Sequence, residues 1–390
     1  MKQPRVAICQ PYFILGGRLA VVLGIAQAFN QLGIEPEILS LGFSFTPDEI
    51  QKKYGQDLRV KFRSFGKFMP WRPLSQDIQI LIFNYLLKIF AGRYDLLVDS
   101  GNSRIFLPDK PQVISYIHFP REARYLSPSS KGKVEGEREY GLKPDSIPSR
   151  FYRWIYSKAH IQPGHILVCN SEYTLNSLKK LFSDIPNELS VIYPPVNLCE
   201  YQSEISENRH GIISMGRFSP GKMQLEQIKV AENMPDIDFH LVGFVNSPNY
   251  FKQCQAYVRE HQLKHVYLHP NMDYADMLVL LKKSKYFLHT QVNEPFGITA
   301  VEAIAAGCLP LVHDSGGQRE TVFFNELRYH SIQEIPAMLA SLEKKKPAEI
   351  GAMISRLQQH ARLHFDKSVF DEKIGTLLTH VVESVTRNSD

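Results

Sequence analysis

The hydrophobic residues of this chain form short apolar runs, which alternate with longer stretches where apolar residues recur every three or four positions. In the first case the run 6–9 is followed by a turn with Gly16 and Gly17, and an amphipathic stretch 19–32 then stops before Gly33. This order predicts a strand, a loop, a helix and a C-terminal cap. Further strands are predicted at 37–41, 95–99, 112–117, 166–170 and 190–193, and helices at 78–90, 150–159 and 171–182.

Pro194, Pro195 and the polar stretch 201–209 interrupt this alternation, and a second series follows. It predicts strands at 211–215, 239–242, 266–268, 286–289 and 309–313, and helices at 225–233, 250–262, 274–284 and 296–306. Repeated strand and helix alternation favours an α/β fold with doubly wound parallel sheets. The pattern leaves open whether the two final helices, 347–364 and 367–386, pack on the second domain or return to the first.

Length and composition exclude several classes of protein. A chain of 390 residues with 44% hydrophobic and 22% charged residues is neither disordered, collagenous nor a coiled coil. Its five cysteines never form C-x-x-C, which indicates neither a disulfide framework nor a zinc knuckle and favours a reducing compartment. No signal peptide is visible, and the apolar stretch 78–90 is too short to span a membrane. A net charge of +5 is too low for the basic stripe of a nucleic-acid-binding protein.

Two glutamates flank a predicted strand-loop-helix junction, Glu294-Pro-Phe-Gly-Ile-Thr-Ala-Val-Glu302. Pro295 and Gly297 end the strand, and a helix starting at Phe296 would offer free N–H groups and its positive dipole end to an anion. Glu294 in the loop and Glu302 on the helix could then hold the hydroxyls of a polar ligand. The alternative is one capping carboxylate and one surface glutamate.

A glycine-flanked loop, Gly216-Arg217-Phe-Ser-Pro-Gly-Lys222, follows the predicted strand 211–215. Arg217 can fork onto phosphate oxygens, and Lys222 adds a mobile point charge. Solvated surface is the alternative for this loop alone. Together with the acidic motif, it predicts a nucleotide diphosphate bound to the second domain.

Four other features follow predicted strands, and each has a structural alternative. His118 ends a strand at the predicted cleft, where it could contact a sugar or a leaving group or be a structural histidine. Gly16 and Gly17 resemble a phosphate loop without its full pattern and could form a tight turn. Ser171 is predicted to cap a helix. The stretch 315–320 contains two glycines and is either a binding loop or an ordinary turn.

Together these motifs resemble the family 4 glycosyltransferases of GT-B fold, a retaining group that uses nucleotide sugars. The ordered set is G-R-F-S-P-G-K, then E-P-F-G-I-T-A-V-E-A-I-A-A-G, then S-G-G, and the resemblance covers nearly the whole chain. The strings I-H-F-P at 117–120, N-S-E-Y-T at 170–174 and Y-P-P-V at 193–196 resemble mannosyltransferases that extend lipid-linked oligosaccharides.

The resemblance implies a GT-B fold, in which two Rossmann-like doubly wound domains face a central cleft. We predict an acceptor-side domain over 1–200 and a nucleotide-sugar domain over 201–370, with a final helix at about 371–390 that packs back on the first domain. It also implies a retaining hexosyltransferase that needs no metal or other cofactor, because positive groups and helix dipoles stabilise the departing nucleotide.

Roles for single residues follow from the same resemblance. Arg217 and Lys222 would bind the donor diphosphate, Glu294 would hold donor-sugar hydroxyls, and His118 would lie beside the donor sugar. With these four as catalytic residues, the remaining donor-binding residues would be Gly16, Gly17, Gly216, Gly243, Asn271, Phe296, Gly297, Ile298, Thr299 and Glu302, the last at the ribose.

The substrates stay open. The subgroup strings favour mannose transfer from GDP-mannose to a glycan, lipid-linked or small-molecule hydroxyl, and UDP-glucose or UDP-N-acetylglucosamine is an alternative donor. A retaining glycosidase would use two carboxylates about 5–5.5 Å apart, but the basic loop argues against it. A sugar-nucleotide epimerase and a non-enzymatic sugar-binding module are less favoured.

Basic and aromatic residues interleave from Arg59 to Arg72, just before the apolar stretch 78–90. Such a surface would dock on anionic lipid beside a polyprenyl-linked acceptor, whereas the alternative is a solvated loop before a core helix. The stretch Arg150–Lys158 is a second candidate of this kind. We therefore expect a cytoplasmic protein, peripheral at most on the inner membrane face, with nucleotide-sugar and glycan partners and no nucleic acid.

Overall fold

The computed structural model describes residues 3–13, 16–43, 49–50, 58–66, 76–101, 103–123, 147–182, 185, 189–202 and 209–387. These form two compact units. The first unit comprises the described residues up to Pro195 and the final helix from Lys367, and the second comprises Val196–Asp366. The predicted boundary after residue 200 comes later than this division. The reason is a short helix, Leu198–Tyr201, whose two end residues are buried and which packs on the second unit.

Parallel strands form the main sheet of the first unit. The strands of this unit are β1 Val6–Cys9, β2 Tyr12–Phe13, β3 Glu37–Ser40, β4 Gly42–Phe43, β5 Lys61–Ser64, β6 Leu96–Asp99, β7 Gln112–Ile117, β8 Ile166–Cys169 and β9 Leu189–Val191. The sheet order is β5-β3-β1-β6-β7-β8-β9, and β2 pairs with β4 separately. The inner strands read as continuous apolar runs because helices cover both faces of a doubly wound sheet.

Among the helices of the first unit, the first and the last in the chain pack closely together. The helices of this unit are Gly17–Gln31, Gln76–Phe90, Ile147–Tyr156, Glu172–Leu181 and Lys367–Arg387. Phe370 and Leu378 of the last helix are buried in one cluster with Phe29 of the first. A Cβ atom at Gly24 would lie 2.7 Å from Phe370 Cε1, so the two helices meet closely there. The final helix thus lies with the first unit from its start at Lys367.

The second unit contains a parallel sheet of its own. Its strands are β10 His210–Met215, β11 Phe239–Gly243, β12 Val266–Pro270, β13 Ser284–His289, β14 Leu309–His313 and β15 Arg328–Tyr329, in the order β12-β11-β10-β13-β14-β15. Its helices are Leu198–Tyr201, Gln224–Ala231, Pro248–Glu260, Tyr274–Lys283, Ile298–Ala305, Gln318–Thr321, Ile335–Glu343 and Pro347–His364. The two sheets confirm the predicted α/β class with two Rossmann-like units.

Each strand and helix that the hydrophobic pattern predicted is present, with ends shifted by a few residues. The pattern missed the short strands β2, β4, β5 and β15 and three helices, at 198–201, 318–321 and 335–343. Most of these elements contain only two to four residues, too few for a period to show. The helix predicted to start at Phe296 starts at Ile298 instead, after Gly297 with a φ of 93°.

The predicted docking surface from Arg59 to Arg72 is wrong for its aromatic residues within the described range. Residues 61–64 form the edge strand β5, where Phe62 packs against Phe13 and Phe43 at ring distances of 6.0 and 5.2 Å. Phe65 is 2% exposed. These rings turn inward because they cover the edge of the sheet, and residues 67–72 lie outside the described ranges.

The apolar stretch before residue 90 forms a core helix. Ile80, Phe83 and Leu87 of helix Gln76–Phe90 are buried, as the structural alternative predicted. Among the described helices, none combines the length and the apolar character that crossing a bilayer requires.

Candidate functional site

The site residues predicted on the second unit lie at the switch point of its sheet. β10 pairs with β11 on one side and with β13 on the other, so the strand order reverses there. Ligands of doubly wound sheets bind in the crevice outside the carboxyl ends of such strands. The loop 216–222 follows β10 and the loop 290–297 follows β13, so the fold brings the basic and acidic motifs together.

An ion pair joins the two motifs. Nζ of Lys222 lies 2.9 Å from Oε2 of Glu294, and the side chains are 20% and 17% exposed. Arg217 is exposed on the same loop as Lys222. Burial raises the pKa of Glu294, but the charge and hydrogen bond of Lys222, with the charge of Arg217, prevail and hold it below its ordinary value. Glu294 is therefore a carboxylate at neutral pH, available to accept hydrogen bonds.

A buried histidine completes this cluster. Nε2 of His289, the last residue of β13, lies 3.7 Å from Oε2 of Glu294. Burial and the Lys222 charge lower the pKa of His289 to about 3, so its ring is neutral. Its Nδ1 atom is buried and has no hydrogen-bond partner among the described residues. With His289 neutral, Arg217 and Lys222 leave one positive charge beyond that of Glu294 for an anionic ligand.

Hydrogen bonds from polar side chains fix the backbone of the basic loop 216–222. Thr290 donates a hydrogen bond of 2.7 Å from Oγ1 to the Lys222 carbonyl, and Gln227 donates one of 2.5 Å to Thr290. Gln224 donates from Nε2 to the Arg217 carbonyl at 2.7 Å. The backbone that carries both cations is thus tied to β13 and to helix Gln224–Ala231, which fixes where the charges stand.

The glycines at 316 and 317 hold the acidic loop. The Gly317 N–H donates to the Glu294 carbonyl at 2.8 Å. A Cβ atom at Gly317 would lie 2.0 Å from the Pro295 carbonyl oxygen, and one at Gly316 would lie 2.4 Å from the Glu294 carbonyl oxygen. The structure shows a turn whose bare backbone packs on Glu294 and Pro295.

The loops that follow β10 and β11 also pack against each other with their backbones in direct contact. A Cβ atom at Gly243 would lie 1.8 Å from the Gly216 carbonyl oxygen, so only glycine fits there. Asn271 has a φ of 54°, its N–H donates to the Gly243 carbonyl at 2.9 Å, and its Oδ1 accepts from the N–H of Val245 at 3.3 Å. Gly216, Gly243 and Asn271 therefore form one backbone layer at the carboxyl edge of the sheet.

The residues that begin helix Ile298–Ala305 complete the acidic loop. Phe296 is 2% exposed and packs against Phe365 at 5.2 Å, so its ring anchors the loop. The Gly297 carbonyl accepts from Ala300, while Ile298 and Thr299 are the first two helical residues. Their N–H groups precede the first intrahelical bonds and stand at the positive end of the helix.

Glu302 belongs to a second cluster on the same helix. Tyr201 donates a hydrogen bond of 2.9 Å to its Oε1, and Tyr274 donates one of 2.8 Å to Glu200. Burial raises the pKa of Glu302 to about 7, with Glu200 adding to the rise and the Tyr201 bond opposing it. The Glu302 carboxyl therefore titrates near neutral pH.

His118 lies in the first unit, directly after β7. Its Nε2 is 2.8 Å from Oγ of Ser100, and both residues are buried. Burial and the charge of Arg18 lower the pKa of His118 well below its ordinary value, so the ring is neutral. Arg18 follows Gly17 at the start of the first helix, so the fold places the glycine turn near His118.

Two further contacts fix the surroundings of His118. Thr174 donates to its carbonyl at 3.2 Å, and the Thr174 N–H donates to Ser171 at 3.1 Å, which confirms Ser171 as a helix cap. Asp99, just before Ser100, accepts a bond of 2.6 Å from Nη2 of Arg104. This buried ion pair holds the loop that presents the Ser100 hydroxyl.

Sequence reasoning missed several residues of these clusters, including Ser100, His289, Tyr201 and Arg18. His289 ends a strand five positions before Glu294, and Arg18 follows Gly17, so strand ends and loop neighbours were the available signals. Nothing in the sequence near Tyr201 marks it. Among the described residues, no group of three or more His, Cys, Asp or Glu side chains is arranged to hold a metal ion.

Two family models match the chain one after the other. Residues 15–200 match the model for glycosyltransferase family 4, and residues 200–346 match the model for glycosyl transferases group 1. The two matches meet at residue 200, near the division between the two compact units.

Two eukaryotic mannosyltransferases are similar in sequence. The human GDP-Man:Man(3)GlcNAc(2)-PP-Dol alpha-1,2-mannosyltransferase is 29% identical over 259 residues, which are 58% of this chain and 52% of the relative. The alpha-1,3/1,6-mannosyltransferase ALG2 of Kluyveromyces lactis is 25% identical over 392 residues, with 84% of this chain and 73% of the relative covered. The chain thus spans about half the length of the human relative.

A solved structure shares the fold. The Anabaena protein Alr3699/HepE, in a crystal structure with UDP-glucose, matches 97% of this chain and 100% of its own length, at 15% identity and a TM-score of 0.69. This likeness shows that the chain has the GT-B fold predicted from its sequence.

Proposed function

We propose, on the premise that this chain belongs to the glycosyltransferases that the family 4 and group 1 models describe, that it is a retaining hexosyltransferase. It would move a hexose from a nucleotide diphosphate sugar to a hydroxyl of a lipid-linked glycan. The observation that carries this proposal is the ion pair of Lys222 with Glu294, beside Arg217, at the switch point of the second sheet.

The donor would bind on the second unit. Arg217 and Lys222 would bind the diphosphate oxygens, with help from the N–H groups of Ile298 and Thr299, because both sets attract anions. Glu294 is ionised and would accept hydrogen bonds from sugar hydroxyls. Glu302 would bind the ribose. The layer of Gly216, Gly243 and Asn271 lies at the same edge, and the base would bind next to it.

Mannose from GDP-mannose is the proposed donor sugar. The names of both mannosyltransferase relatives support a mannose donor, and the human name also specifies GDP-mannose and a lipid-linked glycan. UDP-glucose is the second candidate because the Anabaena protein of the same fold was crystallised with it. The proposed location is the cytoplasmic face of a membrane, where a nucleotide sugar can meet a lipid-linked acceptor.

The configuration at C1 of the sugar would be retained without a nucleophile from the protein. The acceptor hydroxyl would attack C1 from the side that the nucleotide leaves, and a β-phosphate oxygen would take its proton. Lys222 and Arg217 would stabilise the charge that develops on that phosphate, a contribution of the electrostatic kind that is often the largest in catalysis. His118 is neutral and would hold a sugar hydroxyl by a hydrogen bond. No step is proposed to need a metal.

A donor screen followed by product analysis tests this function. We expect GDP to raise the melting temperature more than UDP, because a ligand stabilises the protein in proportion to the logarithm of its concentration over Kd. GDP-mannose with a lipid-linked glycan should yield an α-linked product, unchanged by EDTA. An epimerised donor in the absence of acceptor, or a β-linked product, would contradict the proposal.

Substitution of Lys222 tests the role of the basic loop. Lys222→Ala should lower kcat by about 100- to 1000-fold, as the loss of one charge-stabilising group does elsewhere, while the circular dichroism spectrum stays unchanged. Lys229→Ala is the matched control, since Lys229 is more exposed and pairs with Glu226 on the helix that follows the loop. Equal kcat values for the two variants would remove Lys222 from the mechanism.

A further inference from the structure

One helix of the first unit leaves large aromatic side chains in solvent. In helix Ile147–Tyr156, Tyr152 and Tyr156 are buried in a cluster with Leu81. Trp154 is nevertheless 61% exposed and Phe151 is 49% exposed, with their ring centres 6.4 Å apart. The helix is thus anchored by one side, and the other side presents two rings that the described fold does not cover.

Cations flank these rings. At about 100° per residue, Arg150, Phe151, Trp154 and Lys158 fall within an arc of about 100°, whereas Tyr152 and Tyr156 point to the opposite side. Lys158 continues the helix in a turn, where its N–H donates to the Ile155 carbonyl at 2.9 Å. We call these four residues the Trp154 face. Arg150 and Lys158 are exposed, and residues 147–158 contain no Asp or Glu.

A third exposed ring lies next to the same buried cluster. Ile105 packs with Tyr152 in that cluster, and the next residue, Phe106, is 49% exposed with a φ of 58°. A left-handed backbone is uncommon for a phenylalanine. The loop therefore holds an aromatic ring outward next to the buried cluster that anchors the helix.

We propose that the Trp154 face docks on an anionic lipid bilayer. Tryptophan and phenylalanine favour the boundary between headgroups and acyl chains, and flanking Arg and Lys side chains are attracted to anionic headgroups. An arc of two cations without a carboxylate is complementary to a negative surface. This docking rests on the proposed function, since a lipid-linked acceptor requires an enzyme that works at the membrane. In the stretch 59–72, by contrast, the described aromatic rings pack inward.

Vesicle flotation with the full-length protein tests this docking. We expect flotation with vesicles that contain about 30% phosphatidylglycerol, and much less with pure phosphatidylcholine or in high salt, because salt screens surface charges. Arg150→Glu with Lys158→Glu should lower the partition coefficient at least about fivefold for each cation lost. Phe151→Ser with Trp154→Ser should lower it in low salt and high salt alike.

Matched controls separate the face from general charge and hydrophobicity. Lys264→Glu with Lys373→Glu changes the net charge equally at exposed sites elsewhere, and Leu363→Ser removes an apolar side chain that is 63% exposed on the second unit. Both controls should float like the natural chain. The Trp71→Phe variant leaves Trp154 as the only tryptophan, whose fluorescence should shift to the blue on anionic vesicles.

Several outcomes would overturn the docking. It fails if the natural chain does not float, if the Trp154-face variants float as well as the controls, or if Trp154 emission stays unchanged. Vesicle-independent capture of a protein by this face would assign the surface to that partner instead. Transfer of sugar to a water-soluble acceptor analogue reports on the proposed function separately, because it should be the same in the Trp154-face variants and in the natural chain.

Discussion

At the scale of single residues, the site on the second unit places one carboxylate, Glu294, near two cations and a neutral histidine. Burial costs a charged imidazole more than a neutral one, so His289 loses its proton while Glu294 keeps its charge beside Lys222. A diphosphate would compete with Glu294 for Lys222 and release Glu294 toward sugar hydroxyls. In the proposed function, the ion pair would therefore hold both side chains in place until a donor binds.

The pKa of Glu302 predicts a dependence of stability on pH. A carboxyl whose pKa rises from 4.5 to about 7 on folding binds more protons in the native state across that window. Its contribution to the free energy of unfolding is thus present at low pH and is lost as pH rises from about 4.5 to 7. We expect the melting temperature of the natural chain, relative to Glu302→Gln, to fall across this range.

A partly exposed glutamate provides the control for this substitution. Glu226 lies on the surface in an ion pair with Lys229, so Glu226→Gln should leave the profile of melting temperature against pH nearly parallel to that of the natural chain. A constant difference between the natural chain and Glu302→Gln from pH 4.5 to 7 would show that Glu302 does not titrate there.

At the scale of elements, close backbone contacts rather than side chains align the loops at the carboxyl edge of the second sheet. Gly317 packs on Pro295, and Gly243 packs on Gly216, each at a distance that leaves no room for a Cβ atom. The two predicted motifs thus depend on glycines that lie outside them. Gly351 is different, since no atom of the described part of the chain lies within 4 Å of the place where its Cβ atom would be.

Alanine at these glycines should have opposite effects. Gly317→Ala is expected to lower the free energy of unfolding by about 1–3 kcal/mol and to weaken donor binding, because the Cβ atom forces the Pro295 carbonyl aside. Gly351→Ala, inside helix Pro347–His364, should raise stability by up to about 1 kcal/mol, since alanine is the better helix former. Denaturant titration and nucleotide binding measure both. Unchanged binding in Gly317→Ala would contradict the role of this contact.

At the scale of the whole molecule, the last helix closes the core of the unit in which the chain began. Leu378 is fully buried on helix Lys367–Arg387, in one cluster with residues of helix Gly17–Gln31. The first unit is therefore complete only when the end of the chain has folded onto it. By contrast, all strands of the second unit come from one continuous stretch of the chain, Val196–Asp366.

Truncation of Leu378 should destabilise one unit alone. Leu378→Ala is expected to cost the first unit about 2–5 kcal/mol, as other buried leucines do. Hydrogen exchange should accelerate in helices Gly17–Gln31 and Lys367–Arg387 and stay unchanged in β10 to β14. Thr379→Ala at the neighbouring exposed position is the control. Equally accelerated hydrogen exchange in both units would contradict the prediction that only the first unit is destabilised.

Local pattern and residue chemistry in the sequence alone determined the alternating elements, the two-unit organisation, and the candidates Arg217, Lys222, Glu294 and His118. These could be predicted because a period and a strand end are local properties. Only the tertiary structure decided that His289 joins Glu294, that Ser100 contacts His118, and that Phe62 turns inward while Trp154 turns outward. Burial and contacts between distant segments set these outcomes, and neither is written in any short stretch of residues.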